Sequence, residues 1–172
     1  VIASIFASLI LLAGCGTEKT PIVEAPFDLN GETVYPIGNS AELGDWTVKY
    51  LGSGKANNTE DPAVLVTVEV TNNADAARPF TKWMDFDGNA AFATIVDASF
   101  NPIDGFDAVK IMGGSSGDIT DKEVAPGATE SGKIYFSSPE LTTEELNAGE
   151  YYILLEYQES RLIFKLGEEK FE

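Results

Sequence analysis

The chain has 172 residues, 44% of them hydrophobic, with 28 Asp and Glu against 11 Lys and Arg, a formal net charge of −17 and no histidine. So few scattered cations form no basic patch to neutralise phosphates, and nucleic acid is not an expected partner. Without histidine there is no Ser-His-Asp triad, no Cys-His pair and no imidazole metal site, and one cysteine cannot supply a zinc ligand set.

Val1 to Gly14 carries no charge. The run is short for a membrane span, which needs about 20 apolar residues, and has the length of the apolar part of a signal peptide. A surface helix would show a polar face, but Ser4 and Ser8 are its only hydroxyls. No initiator Met and no positively charged segment precede it, so the sequence is expected to start inside a precursor. Leu12-Ala13-Gly14-Cys15 then leads into polar Gly16 to Thr20. This tetrad resembles the lipobox of bacterial lipoproteins. The resemblance implies residues 1–14 as a signal peptide, cleavage before Cys15, and a diacylglyceryl thioether with palmitate-like chains on that cysteine. The protein is then expected on the extracytoplasmic face of the cell membrane. With no second cysteine there is no intrachain disulfide, and the domain must stand on its core alone. Each buried CH₂ is worth about 0.8 kcal/mol, and two or more acyl chains anchor stably. The acidic remainder repels anionic headgroups, so the lipid is expected to hold the protein without help from the polypeptide.

Residues 15–40 read as a lipidated N-terminus and flexible linker, because Pro21, Pro26 and Pro36 interrupt any long element. Thr33-Val34-Tyr35 is a short first strand within it, and the folded domain is assigned to 41–172. Trp46, Val48 and Tyr50 alternate ahead of Gly52-Ser53-Gly54, which should end that strand. Asn57-Asn58-Thr59 matches a glycosylation sequon, a match that the resemblance to bacterial lipoproteins makes accidental. Val64, Val66, Val68 and Val70 share one face, Thr67 and Glu69 the other, with Leu65 the exception. Asn72-Asn73 supply turn chemistry. Phe92–Val96 is a shorter run, and Lys133–Phe136 follows the turn Ala125-Pro126-Gly127. Thr142–Leu146 offers a hydroxyl cap and acids for a short helix that Gly149 stops. Tyr151–Tyr157 and Arg161–Leu166 flank Gln158-Glu159-Ser160, a hairpin with a three-residue loop. The expected fold is all-β: an immunoglobulin-like antiparallel β-sandwich of about seven to nine strands with at most one short helix.

Two stretches carry a further resemblance. VLVTVEVTNNADAARPF (Val64 to Phe80) is followed by MDFDGNAAF, and VAPGATESGKIYFSSP (Val124 to Pro139) precedes the terminal hairpin. Together they resemble the immunoglobulin-like domain of Gram-positive surface lipoproteins, over residues 41–166. Its pattern is a valine-rich strand ending in Asn, a D-x-D-G turn, then P-G-x-T-x-x-G before an aromatic strand. These motifs are structural turns. The resemblance implies a non-enzymatic extracytoplasmic domain, and the acidic, glycine-rich insert Asp104 to Glu123 departs from it.

Carboxylates are the remaining chemistry. A glycosidase pair needs one acid in an apolar pocket, a condition no motif here signals, so no enzyme is expected. Asp85-Phe86-Asp87-Gly88-Asn89 resembles the start of a calcium loop, making Asp85, Asp87 and Asn89 the candidate ligands and Ca²⁺ the candidate cofactor. An EF-hand wants Gly sixth and Glu twelfth, where Ala90 and Val96 stand, so a hairpin turn is preferred. Phe80, Trp83 and Met84 form either an exposed aromatic ledge or, preferably, a cap on the core. Asp97 to Glu123 is the longest region without alternation, and loops of such length are usually functional or disordered. A protein or cell-wall partner is expected to meet this insert. Phe100, Phe106 and Ile111 would be the anchors, with Asp104, Asp107, Asp118 and Asp121 favouring a basic partner. The expected protein is monomeric, a lipid-anchored binding or adaptor module. The alternative is a calcium-dependent structural or cell-wall-associated protein.

Overall fold

The computed structural model describes residues 23–55, 63–82, 88–107, 117–137, 144 and 148–167. They contain twelve strands: β1 (Phe27–Leu29), β2 (Glu32–Tyr35), β3 (Ser40–Leu43), β4 (Trp46–Lys55), β5 (Ala63–Asn72), β6 (Arg78–Pro79), β7 (Phe92–Val96), β8 (Pro102–Asp107), β9 (Glu123–Val124), β10 (Thr129–Ser137), β11 (Tyr152–Tyr157) and β12 (Ser160–Lys165). A six-stranded sheet, β1-β2-β12-β11-β7-β8, packs against a four-stranded one, β10-β5-β4-β3, and β6 pairs with β9 in a small ribbon. The fold is a β-sandwich. Several strands beyond those expected, β1, β3, β6 and β9, are only two to four residues long, too brief to show alternation. Of the helix expected at Thr142–Leu146, only Glu144 is among the described residues.

β5 is the centre of the sandwich. Val64, Val66, Val68 and Val70 are at most 1% exposed and face the six-stranded sheet, each worth about 1.5–3 kcal/mol of burial. On the opposite face Leu65 packs with Ala63 and Tyr135. β10 lies antiparallel along β5, with Gly132 opposite Val68. A Cβ at Gly132 would stand 2.6 Å from Ile119 Cβ, so only glycine lets the Gly117–Ile119 strap lie on β10. There Lys133 N–H donates to the Gly117 carbonyl (2.7 Å) and Ile119 N–H to the Lys133 carbonyl (3.0 Å). The strap covers part of an otherwise open sheet edge.

Two turn assignments change. Gly52-Ser53-Gly54 do not end β4; the strand continues to Lys55 past a bulge, where Tyr50 pairs with Val68 but Gly52 with Thr67. The extra residue, Leu51, has no partner on β5, and glycine accommodates the bend. The terminal hairpin closes in two residues, Gln158-Glu159, because Ser160 already pairs with Tyr157. Gln158 takes the positive φ (53°) that such a turn needs.

Asn72 ends β5 by satisfying backbone that the strands leave open. Its Nδ2 donates to the carbonyls of Ala76 and Val124, both at 2.8 Å, and its Oδ1 accepts the Ala74 N–H at 3.0 Å. Its own N–H donates to Ala128, and its carbonyl accepts from Gly127. One residue thus ties β5 to β9 and the 74–76 turn through its side chain and to the 125–128 turn through its backbone, a physical reason for the Asn that closes the valine-rich strand.

The linker assignment is overturned from Phe27 onward. β1 and β2 belong to the six-stranded sheet, and Val34 is fully buried. β2 joins β12 in parallel, Val34 opposite Ile163, so the sheet is not wholly antiparallel. These strands lie far apart in the chain, so no tight hairpin dictates an antiparallel pair. Val34, Val96, Tyr152, Leu154 and Ile163 form a second core on the outer face of this sheet, with Phe27, Leu29 and Phe100 packed against it. The turn after β1 reaches the turn after β7: Asn30 Nδ2 donates to the Ala98 carbonyl at 3.0 Å. The sheet therefore curls over its own outer face.

Candidate functional site

The described part of the insert is built into the domain. Pro102–Asp107 is β8, an edge strand on β7, rather than loop. Asp97 shapes the turn before it: Oδ1 accepts the N–H of Ser99 (2.8 Å) and Asn101 (2.9 Å), and Oδ2 accepts Asn101 Nδ2 (3.3 Å). The Asn101 backbone hydrogen bond is the main reason its carboxyl lies below the usual range, since it favours the charged form. The turn puts Phe100 at φ 63°. Its ring meets Tyr152 edge-on, centroids 5.8 Å apart at 82°. Phe100 is therefore a packing residue, half-buried on the second core.

The other expected residues of the insert that are described lie on two segments, the 118–121 turn and β8. Asp118 Oδ1 accepts the Thr120 N–H at 2.8 Å, and Asp121, at φ 61°, donates its N–H to the Thr81 carbonyl. Asp118 makes a turn, and Asp121 takes the left-handed conformation that Asp tolerates. Asp104, Phe106 and Asp107 lie on β8. Ile111, Cys15, Asp85, Asp87, Trp83 and Met84 lie outside the described residues. Asn89 is exposed, whereas Phe80 is fully buried with Trp46, centroids 5.2 Å apart. Among the described residues no three of His, Cys, Asp or Glu converge as metal ligands.

A further polar arrangement surrounds Arg78, a residue with no part in the sequence-based expectations. Its guanidinium carbon stands 5.0 Å from the Trp46 ring centroid and 5.2 Å from that of Tyr157. Nη1 donates to Tyr157 Oη at 2.7 Å, and Nη2 to Asp45 Oδ2 at 3.2 Å. A planar cation between two aromatic faces, with one neutral acceptor and one carboxylate, is a clamp between the sheets. Gly44, at φ 57°, makes room for it, since a Cβ there would stand 2.7 Å from Tyr157 Cδ1. An isolated Arg before Pro79 and Phe80 is the only signal in the sequence.

A second polar group lies beside the outer core. Glu150 Oε1 pairs with Lys165 Nζ at 3.0 Å, and this hydrogen bond leads the causes that hold its carboxyl below the usual range. Burial, then the hydrogen bond to Glu150, pushes Tyr152 up to about 12. A phenol so reluctant to ionise is no general base near neutral pH.

The sandwich has two distinct ends. One carries the Gly44-Asp45 turn, Asn72, Arg78 and the Gln158-Glu159 turn. Toward the other, where β2 and β12 end, Val23 packs on Gly38, and Ile37 overlies Gly167 and the β4 bulge at Gly52. The described residues begin at this second end, with Val23.

No protein-family model matches the chain, and no curated protein sequence does either. Among solved structures it is similar to an uncharacterized β-sandwich protein from Clostridium difficile 630, with 8% identity over 86% of this chain and 100% of that one, at a TM-score of 0.51. It is also similar to MPT63, a secreted protein from Mycobacterium tuberculosis, with 11% identity over 77% of this chain and 97% of that one, at a TM-score of 0.50. At such identities the likeness shows the shared fold, a β-sandwich.

Proposed function

We propose that the chain is an extracytoplasmic lipoprotein, tethered to the cell membrane through Cys15, whose β-sandwich is a non-enzymatic binding or adaptor module. The observation that carries this reading is the Leu12-Ala13-Gly14-Cys15 tetrad, placed between a run of fourteen uncharged residues and a polar segment. The described domain begins shortly after that cysteine, as suits a tethered module. The fold likeness to MPT63, described as a secreted protein, supports an exported domain. The chemistry supports a binder over a catalyst. The chain lacks histidine, and the described acids with lowered pKa are engaged in turns or ion pairs. Such groups hold structure and leave little for proton transfer. Growth with radiolabelled fatty acid tests the tether: label should enter the intact precursor's product, and Cys15→Ala should abolish it and release the protein from membranes. Label that persists in Cys15→Ala would refute the proposal.

A further inference from the structure

We infer that the end of the sandwich where the described chain begins, at Val23, docks on the lipid bilayer through Val23, Ile37 and Leu51, so that the domain lies against the membrane instead of standing off on a free stalk. This rests on the anchor proposed above. Among the described residues four large hydrophobic side chains are exposed: Val23 (51%), Ile37 (41%), Leu51 (41%) and Phe92 (53%). Three of the four lie in one region: Val23 against Gly38, Ile37 next to Gly38 in the chain, and Leu51 next to Gly52, which Ile37 overlies. Val23 Cγ2 would stand 3.0 Å from a Cβ at Gly38, and Ile37 Cδ1 would stand 3.5 and 3.1 Å from Cβ atoms at Gly52 and Gly167. Bare glycine backbone thus floors the patch and leaves the aliphatic side chains standing above it. Leu51 is the unpaired residue of the β4 bulge, beside Gly52. Single exposed aliphatic residues need no explanation, but a contiguous group does.

The patch is pre-shaped. Gly38 N–H donates to the Tyr50 carbonyl (2.8 Å), Tyr50 N–H to the Asn39 carbonyl (3.1 Å), and Gly167 N–H to Tyr50 Oη (3.0 Å). Asn39 Nδ2 donates to the Glu24 carbonyl at 2.8 Å, which pins the incoming chain beside the patch. From Cys15 to Val23 the chain can span at most about 30 Å even fully extended. The acyl chains therefore hold this end, and not the Gln158-Glu159 end, close to lipid. Tethering makes the contact intramolecular, so a patch too small to bind a membrane from solution is occupied once anchored. The committed occupant is a neutral lipid surface, because the net charge of −17 opposes anionic headgroups while aliphatic side chains insert at the headgroup boundary.

The test uses acylated protein extracted from membranes and reconstituted into phosphatidylcholine vesicles that contain spin-labelled lipid. One fluorophore is placed on Leu51→Cys, with Ile37→Cys as a second reporter and Glu159→Cys as the far-end reference. Cys15, blocked as a thioether, takes none. Quenching about threefold stronger at position 51 or 37 than at 159 is the expected result, and Ile37→Asp should bring position 51 down to the reference. Equal quenching at all three positions, in protein that floats with the vesicles, overturns docking and leaves the anchor intact. Protein that does not float, and whose Cys15 accepts the fluorophore, overturns the anchor and docking with it.

Discussion

The core between the sheets and the core on the outer face of the six-stranded sheet are made in different ways. The first gathers Trp46, Val48, Tyr50 and the β5 valines against Ile153, Leu155 and Phe164, nearly all from strands with period-2 alternation. The second joins Val34 with Phe27 and Leu29 from one terminus to Val96 and Phe100 from the middle of the chain, over Tyr152, Leu154 and Ile163. Segments that read as linker and insert are structural partners. An outer sheet face normally meets water, so its strands alternate apolar and polar residues. Here β11 is apolar on both faces, since Tyr152 and Leu154 are buried as well as Ile153 and Leu155. That continuous run, YILLEY, was the mark of a second layer.

If the first core carries the fold, its largest side chain should matter most. Trp46 is fully buried, pairs with Phe80 and supports Arg78. Trp46→Ala is expected to cost about 3–5 kcal/mol, a large share of the about 5–15 kcal/mol that holds a typical domain folded, as read by urea titration. A loss below about 1 kcal/mol would mean the clamp and main core are not what hold the sheets together.

The outer core should register less, because Phe100 is only half-buried. Phe100→Ala is expected to cost about 1–2 kcal/mol, and Leu29→Ala somewhat less. The sharper measurement is their double-mutant cycle. Two residues on one cluster should couple by about 0.5 kcal/mol or more, whereas strict additivity would separate the N-terminal hairpin from the insert.

The smallest effect at neutral pH comes from Tyr152, where burial first and the Glu150 hydrogen bond second raise the pKa from 10.0 to about 12. A raised acid pKa means the folded state prefers the proton. Its stabilisation is complete below pH 10 and is lost as pH rises toward 12. Denaturation midpoints should fall across that window, and Tyr152→Phe should flatten the fall. An unchanged decline in Tyr152→Phe would show that the phenol titrates as if exposed.

Legibility followed the range of the forces involved. Alternation in β5 and the terminal hairpin reports burial that each strand satisfies over a few residues, so those elements could be read directly. The bulge at Leu51 and the two-residue turn depend on register against a partner strand, which no single segment specifies. Asp118 and Asp121 read as acids for a basic partner because acidic residues that shape turns have the composition of acidic residues that bind. Arg78 was missed because a clamp between rings on β4 and β11 leaves no local pattern.

The sequence by itself determined an all-β chain whose turns and valine-rich strand make a sandwich, because period-2 burial and turn chemistry are local. It also set the unusual acidity and the lack of imidazole chemistry, which are matters of composition. Only the tertiary structure decided that residues 27–35 belong to the domain, that Phe100 packs inward, and that β2 runs parallel to β12. Each of those outcomes depends on contacts between residues dozens of positions apart. A short apolar segment such as Phe27–Leu29 is a strand only because Tyr152, Leu154 and Ile163 offer it a surface to cover.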